Sequence, residues 1–373
     1  MASTFLKLAA WAVLGAPILS LAAPLYLATP LGNLGGSSGD VRAINNSGQI
    51  AGHVLAPGGV GNAVLSRGGA LNTLHPEGAA GSFATGVNDA GLASGHLDMG
   101  GGRTRAVTFD GSSVNDLGTF GGRGAIGSVA MAVNTSGQVA GSSDLPDASA
   151  RHAFLHTPGH GLLDLGTLGG QNSFGLGINN MGEMVGRSDV AGGSYHAFRY
   201  ANGAMRDLGT LGGAFSEASG INDSGAVSGF SYLTGNANAH AFMVADGVMM
   251  DLGTLGGANS FGYGINNRGQ VVGSSEVAGG NALHAFLYAE GRMTDLNTLV
   301  GPAFPWVLNY AADINESGQI AAFGCNTLSE CQGFLLTLAN VSAVPEPGGT
   351  ALLLLGLAAL GVAHKRRRTI SPS

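Results

Sequence analysis

The chain has 373 residues, of which 66 are glycine, and only 10% are charged and 6% aromatic. No Gly-x-y period runs through it, which excludes a collagen-like rod. Residues 24–338 contain no lysine and carry 11 arginines against 22 acidic residues, a formal charge of −11. Nucleic acid is therefore excluded as a partner, because phosphate backbones need clustered cations.

Residues 1–22 have the pattern of a secretory signal peptide. Lys7 precedes an apolar run from Leu8 to Ala22, and Ser20 and Ala22 provide a small-x-small cleavage site. We expect cleavage after Ala22; an uncleaved anchor is the alternative. Residues 1–22 are therefore set apart from the fold.

A repeat with a period near 44 residues fills residues 23–340. Its best marker is a hydrophobic residue followed by Asn-x-x-Gly, whose copies are spaced by 43 to 49 residues. The seven asparagines are Asn45, Asn88, Asn134, Asn179, Asn222, Asn266 and Asn315. Asn and Gly at these positions favour a tight turn, and apolar residues on both sides predict a β-hairpin.

A second hairpin is predicted in each unit, where apolar runs flank a turn such as Asn202-Gly203 or Asp246-Gly247. Each unit thus has four strands: a (Asp-Leu-Gly-Thr-Leu), b (leading into the Asn), c (after the Gly) and d (His-Ala-Phe). Four strands in 40 to 45 residues is typical of a propeller blade. We predict an all-β fold, a seven-bladed β-propeller of four-stranded blades.

The ends of the repeat array predict how the ring closes. The first recognisable piece, residues 25–34, is a copy of strand a, and the last, residues 333–338, is a copy of strand d. Tight turns join b to c and d to a, so each blade should have the order b-c-d-a with b innermost. The N-terminal strand should then complete the seventh blade; an open solenoid is the alternative.

Two cysteines, Cys325 and Cys331, flank the last c–d connection. In an exported chain such a pair across a hairpin predicts a disulfide. A metal site would need more ligands than this pair offers. We expect no metal or cofactor.

Histidine and aspartate recur together on strands d and a. With the turn at Asn202-Gly203 as pivot, His196 falls opposite Gly209 and diagonal to Asp207, and the same pairing holds for His240 with Asp251 and His284 with Asp295. Such pairs could be general bases or metal ligands. We favour a buried, structural hydrogen bond repeated once per blade, because buried polar groups need partners. No catalytic residue is assigned on this basis.

One connection departs from the short, near-uniform loops of the other units. The longest c–d connection holds Asp144, Asp147, Arg151 and His152. This group is the best asymmetric candidate for a site.

The tail changes character after residue 340. Pro345, Glu346 and Pro347 are followed by an apolar stretch, residues 351–363, and by the basic cluster Lys365, Arg366, Arg367 and Arg368. Residues 341–373 therefore predict a short transmembrane helix whose basic end lies in the cytoplasm.

This tripartite tail resembles the PEP-CTERM sorting signal of Gram-negative bacteria. The resemblance implies an exosortase-type processing enzyme as partner and attachment to the inner membrane before processing. It also implies delivery to the cell surface or the extracellular matrix.

The repeats resemble the extracellular HAF repeat family. The tripeptide His-Ala-Phe begins at His152, His196, His240 and His284, whereas three units depart from it. The resemblance implies an exported repeat domain with no established chemistry.

Two functions from different classes follow. The first is a non-enzymatic surface or matrix protein whose propeller binds protein or polysaccharide. The alternative is an extracellular propeller enzyme, a hydrolase or lyase acting on polysaccharide, with its site at the channel mouth. Short, near-uniform loops favour the first.

Overall fold

A computed structural model describes residues 26–32, 39–56, 58–67, 70–111, 113–121, 127–147, 149–301 and 303–339. The expected signal peptide, sorting motif, basic cluster and transmembrane helix lie outside these residues. Within them, no helix is long and apolar enough to cross a membrane. They form strands, joined by turns and one short 3₁₀ helix, Leu296–Thr298.

The strands form five four-stranded sheets and one eight-stranded sheet, which consists of two further four-stranded units; these seven units are here called blades 1 to 7. Blades 1 to 3 consist of β2 Gly39–Ile44, β3 Ile50–Leu55, β4 Gly61–Arg67 and β5 Ala70–Thr73; β6 Gly81–Val87, β7 Ala93–Asp98, β8 Thr104–Asp110 and β9 Ser113–Gly118; β10 Ser128–Val133, β11 Val139–Asp144, β12 Arg151–Thr157 and β13 Gly161–Asp164. Blades 4 and 5 consist of β14 Gly169–Ile178, β15 Met184–Val190, β16 Tyr195–Ala201 and β17 Ala204–Gly209; β18 Gly212–Ile221, β19 Val227–Leu233, β20 Ala239–Ala245 and β21 Val248–Asp251. Blades 6 and 7 consist of β22 Gly256–Ile265, β23 Val271–Val277, β24 Leu283–Ala289 and β25 Arg292–Asp295; β26 Trp306–Ile314, β27 Ile320–Asn326, β28 Cys331–Leu338 and β1 Tyr26–Pro30.

Every blade has the predicted order b-c-d-a, with antiparallel neighbours. Blades 4 and 5 are additionally linked by one parallel bridge between Tyr195 and Phe215. In blade 7 the outer strand is β1, which pairs with β28 from Tyr26 opposite Leu338 to Pro30 opposite Phe334. The N-terminal strand therefore completes the seventh blade, as the sequence predicts.

The seven asparagines of the b–c turns link the blades into a ring. The side-chain amide of each Asn donates to the backbone carbonyl of the next blade's Asn, at 2.9 to 3.2 Å. The seventh link runs from Asn315 back to Asn45. No described sheet closes on itself; hydrogen bonds between sheets link the seventh blade to the first, and the arrangement is propeller-like.

The His-Ala-Phe tripeptide supplies the core between blades. Ala197 on β16 packs in one cluster with Phe242 on β20, and Ala241 packs in the next cluster with Phe286 on β24; all four are fully buried. Gly229 on β19 leaves the room that Phe242 needs, since a Cβ there would lie 2.8 Å from the ring and 2.0 Å from the carbonyl oxygen of Glu217. At these joints the small alanine of one blade thus leaves the space that the phenylalanine of the next blade fills.

Buried serines fasten neighbouring blades at the same level. The backbone N–H of Ala241 donates to Oγ of Ser260 at 2.8 Å, and that hydroxyl donates to the carbonyl of Gly253 at 2.6 Å. Equivalent serines accept from the preceding blade at four further joints: Ser82, Ser128, Ser173 and Ser216. Each serine satisfies a donor that would otherwise be buried without a partner.

Strand a was predicted to end four residues too late in blades 3, 5 and 6, and two residues too late in blade 4. The outer strand of blade 5 ends at Asp251, and the Leu-Gly-Thr-Leu segment after it is a connection leading to β22. The reason is local: Oδ1 of Asp251 accepts from the N–H of Gly253 at 2.8 Å, and Gly253 has a positive φ of 73°. In blade 6 the equivalent segment after Asp295 forms the 3₁₀ helix Leu296–Thr298.

Candidate functional site

The innermost strands surround a channel that differs at its two ends. At one end the asparagine turns enclose a small space of about 160 Å³. Toward the other end the channel opens into a cavity of about 560 Å³, here called the mouth cavity. Asp40 of the mouth cavity stands five residues before Asn45, so along an extended strand the two ends are about 16 Å apart.

One residue per blade, three positions before the turn Asn, faces the mouth cavity. These residues are Arg42, Thr85, Met131, Leu176, Ser219, Tyr263 and Ala312. Asp40, Glu217 and Tyr310, which stand five positions before the Asn, also line it. The turns repeat in every blade, but these positions do not, so the repeat symmetry is broken at the mouth cavity.

Three of the polar groups cross the joint between blades 7 and 1. The hydroxyl of Tyr310 donates to Oδ1 of Asp40, whose Oδ2 lies 2.7 Å from Nη2 of Arg42. Burial and the adjacent Asp40 carboxylate raise the pKa of Tyr310, so the phenol stays protonated. This joint is therefore held by a charged and hydrogen-bonded chain as well as by apolar packing.

Asp313 stands where the other blades have Gly or Ala, in the narrow part of the channel. Its Oδ2 accepts from the N–H of Ile44 in blade 1 at 3.0 Å, and its Oδ1 accepts from the N–H of Ile314 at 2.8 Å. Burial raises the pKa of Asp313 to about 6, although both hydrogen bonds oppose that shift. Asp313 therefore connects blade 7 to blade 1 through its hydrogen bond with Ile44.

A second charged pair lies at a different joint, between blades 4 and 5. Nη1 of Arg187 is 3.3 Å from Oε2 of Glu217. Burial raises the pKa of Glu217, and Arg187 partly offsets this. The guanidinium of Arg187 also lies over the rings of Phe174 and Tyr195, at 4.7 and 4.9 Å from their centroids. This pair connects blades 4 and 5 and lies away from the joint between blades 7 and 1.

Two histidines, on the second strands of blades 1 and 2, contact the same phenylalanine. The ring of Phe83 stacks on His96 at 4.9 Å and meets the edge of His53 at 5.0 Å. Burial lowers the pKa of His96 to about 4 and also lowers that of His53. Both imidazoles are therefore neutral at pH 7, and both pack against the ring of Phe83.

The predicted His–Asp pairs are present but lie away from the channel. Nδ1 of His196 is 2.8 Å from Asp207, Nδ1 of His240 is 2.9 Å from Asp251, and Nδ1 of His284 is 2.7 Å from Asp295. Burial was predicted wrongly for two of the pairs, since the side chains of Asp207 and Asp251 are 42% and 40% exposed, whereas that of Asp295 is only 19% exposed.

The register of these pairs differs by one residue from the prediction. A bulge places Gly209 opposite Ala197, not His196. The diagonal relation is kept, because Asp207 lies opposite Phe198, two residues after His196.

The other candidates from the sequence are occupied by local contacts. Nε of Arg151 is 2.8 Å from Oδ1 of Asp144, and Asp147 accepts from Ser149. His152 pairs with Asp164, as in the other blades. Cys325 and Cys331 are joined by a disulfide across β27 and β28. The structure brings none of these residues to the mouth cavity.

Sequence reasoning missed the residues that line the mouth cavity. A signal for them exists: when the strands before the seven asparagines are aligned, Arg42, Glu217 and Tyr263 stand out among mostly small or apolar neighbours. The asymmetric candidate predicted from the sequence lies in a loop, whereas the repeat symmetry is broken on the innermost strands.

The tail matches the model of the PEP-CTERM protein-sorting motif over residues 343–368. This match includes the predicted motif and the basic cluster. The motif is a sorting signal recognised by exosortase-type processing, and it implies export and a cell-surface or extracellular location after processing. No curated protein matches this sequence.

Solved structures resemble the fold at low sequence identity. A puromycin-hydrolyzing peptidase from Mycobacterium tuberculosis matches with a TM-score of 0.54 and 11% identity, over 83% of this chain and 54% of that chain. YCF48 bound to D1 peptide matches with 0.51 and 10%, over 87% and 99%. A puromycin hydrolase complexed with PGG matches with 0.50 and 14%, over 79% and 52%. This chain spans about half the length of the peptidase and hydrolase structures, and at such identities the likeness shows the fold alone.

Proposed function

We propose that this protein is a non-enzymatic binding protein of the cell surface or extracellular matrix, and that it holds its ligand at the mouth cavity. The observation that carries the proposal is the loss of repeat symmetry there. Closure of the ring explains the Tyr310–Asp40 contact. It does not explain Glu217 and Tyr263, which lie in blades 5 and 6.

The path of the chain supports an outward-facing mouth. β1 begins and β28 ends on the face of the asparagine turns, where the hydroxyl of Tyr26 donates to the carbonyl of Gly318 and Tyr26 lies opposite Leu338. The segments before Tyr26 and after Leu338 therefore attach at that face. A domain tethered through the sorting tail would present the mouth cavity on the opposite side, toward a ligand outside the cell.

A binding role is favoured over the alternative of a polysaccharide hydrolase or lyase. The charged residues at the mouth are matched in pairs, Asp40 with Arg42 and Glu217 with Arg187. Asp313, which has the raised pKa expected of a general acid, is engaged by two backbone N–H groups at the joint. Membership of the repeats in the HAF family is part of this proposal.

The test is a retention experiment with a blocked mouth. Ala312→Leu places a larger side chain in the mouth cavity and narrows it, and Ala204→Leu makes the same change on the exposed outer strand β17. We expect wild type and Ala204→Leu to be retained on the cell surface or matrix, and Ala312→Leu to appear in the medium, with equal tail processing in all three. Equal retention of all three would show that the mouth does not hold the ligand.

A further inference from the structure

The charge balance of the mouth cavity limits what it can bind. Oδ2 of Asp40 is 2.7 Å from Nη2 of Arg42, and Oε2 of Glu217 is 3.3 Å from Nη1 of Arg187. Each of these two carboxylates already has a cation, so neither is left to attract a metal ion, and the carboxylate of Asp313 in the narrow part of the channel accepts from two backbone N–H groups. What remains is hydrogen-bonding capacity, because carboxylates hold about four acceptor sites and a guanidinium five donors.

The walls of the cavity are divided by chemistry. Met131 and Leu176 form an apolar side in blades 3 and 4. Asp40 and Arg42 lie in blade 1, and Glu217 lies in blade 5 with Ser219 behind it. A ligand there meets apolar side chains on one flank and acceptors and donors on the others. A purely apolar ligand would cover the carboxylates without replacing the water they lose.

A sugar ring meets these conditions. Its hydroxyls both donate and accept, which suits acceptor-only carboxylates beside a donor-only guanidinium, and its C–H face suits Met131 and Leu176. The cavity of about 560 Å³ is in the usual range for small-ligand sites. The space at the asparagine turns is smaller, about 160 Å³, so the mouth cavity offers more room for a sugar.

We infer that the mouth cavity binds the end of a neutral saccharide chain, with one terminal sugar inside the channel and the rest of the chain leading out of the mouth. Asp40 and Glu217 accept from sugar hydroxyls, and Arg42, whose side chain is 54% exposed, donates to them. This inference rests on the proposed function and names the ligand class of the same site.

The experiment is titration calorimetry of the full-length protein in a detergent without a sugar headgroup. The probes are the methyl glycosides of glucose, galactose and mannose, N-acetylglucosamine, glucuronic acid, trialanine and inorganic phosphate. We expect saturable binding of at least one neutral sugar, and at least tenfold weaker binding of glucuronic acid and phosphate.

Two variants locate the site. Glu217→Gln removes the charge and half of the acceptor capacity at one wall. Ala312→Leu narrows the cavity and changes no polar group. Both should weaken sugar binding at least tenfold. Glu77→Gln, the same change on an exposed turn, should leave it unaltered. Thermal unfolding of each variant separates loss of binding from loss of fold, and Ala312→Leu keeps the test valid if Glu217→Gln unfolds.

The outcomes separate the ligand class from the proposed function. Trialanine binding that the two variants abolish, without sugar binding, would overturn the saccharide inference and leave the mouth as a peptide site. Sugar binding that neither variant weakens would overturn the site. If a protein and glycan array detected no ligand for the wild type, the proposed binding function itself would be wrong.

Discussion

Asp251 has three structural roles in its repeat. It ends strand β21, accepts from the N–H of Gly253 at 2.8 Å and contacts Nδ1 of His240 at 2.9 Å. Because the pair is partly exposed, we expect His240→Ala to lower the free energy of unfolding by only about 0.5–1 kcal/mol. Asp251→Ala should cost more, about 1–2 kcal/mol, since it also removes the acceptor for Gly253. Urea unfolding measures both, and equal losses would show that the turn does not depend on Asp251.

Asp313 gives the closing joint a dependence on pH. Its pKa in the fold is about 6, above the value of 3.8 usual for Asp. The folded state therefore binds this proton more tightly, and the associated stability is present below about pH 4 and lost as the pH rises through about 6. The free energy of unfolding of wild type, relative to Asp313→Ala, should fall by about 2 kcal/mol between pH 4 and pH 7. A pH-independent difference in chemical unfolding would contradict the raised pKa.

At the scale of elements, each asparagine turn stabilises its own hairpin and also links its blade to the next one. Oδ1 of Asn222 accepts from the N–H groups of Ser224 and Ala226, at 3.1 and 2.9 Å, and its amide donates to the carbonyl of Asn266 at 3.0 Å. We expect Asn222→Ala to cost about 2–4 kcal/mol, because several buried groups lose partners. Asn222→Asp keeps the acceptor and loses only the donor to the next blade.

The comparison of these two variants separates the two roles. If the turn dominates, Asn222→Asp should be the milder change in urea unfolding. If the ring dominates, Asn222→Asp should match or exceed Asn222→Ala, because its charge would then face the carbonyl oxygen of Asn266. Ser47→Ala, which removes only a side-chain hydroxyl near Asn45, is the control, with an expected loss below about 1 kcal/mol.

At this scale, the sequence predicts the features that depend on local interactions and misses those that depend on contacts between distant blades. The number of blades, the strand order and the pairing of β1 with β28 depend on turn residues at fixed spacing, which act locally and repeat. The end of strand a was misplaced because the side chain of Asp251 stops the strand before its apolar pattern ends. The mouth residues were missed because their shared position is a property of the closed ring, which brings Asp40, Glu217 and Tyr263 together from blades 1, 5 and 6.

At the scale of the whole molecule, the fold and the sorting tail are separable. All seven blades and the closing strand lie between Tyr26 and Leu338, whereas the sorting motif matches residues 343–368. The disulfide between Cys325 and Cys331 also lies inside the last blade. The strands of all seven blades and the disulfide therefore precede the residues that the sorting motif matches.

This separation predicts opposite fates for two changes in the tail. Deleting residues 344–373 removes the apolar stretch and the basic cluster, so a folded propeller should leave the inner membrane and appear outside it without a membrane-bound phase. Replacing Pro345, Glu346 and Pro347 by alanine keeps the apolar stretch and removes the motif, so full-length protein should stay in the membrane fraction. Fractionation with an antibody against the propeller measures both, and thermal unfolding of the deletion variant should match that of the processed wild type. If the triple alanine variant were processed and released like the wild type, recognition would not depend on this motif, and residues 341–373 would act as an ordinary anchor.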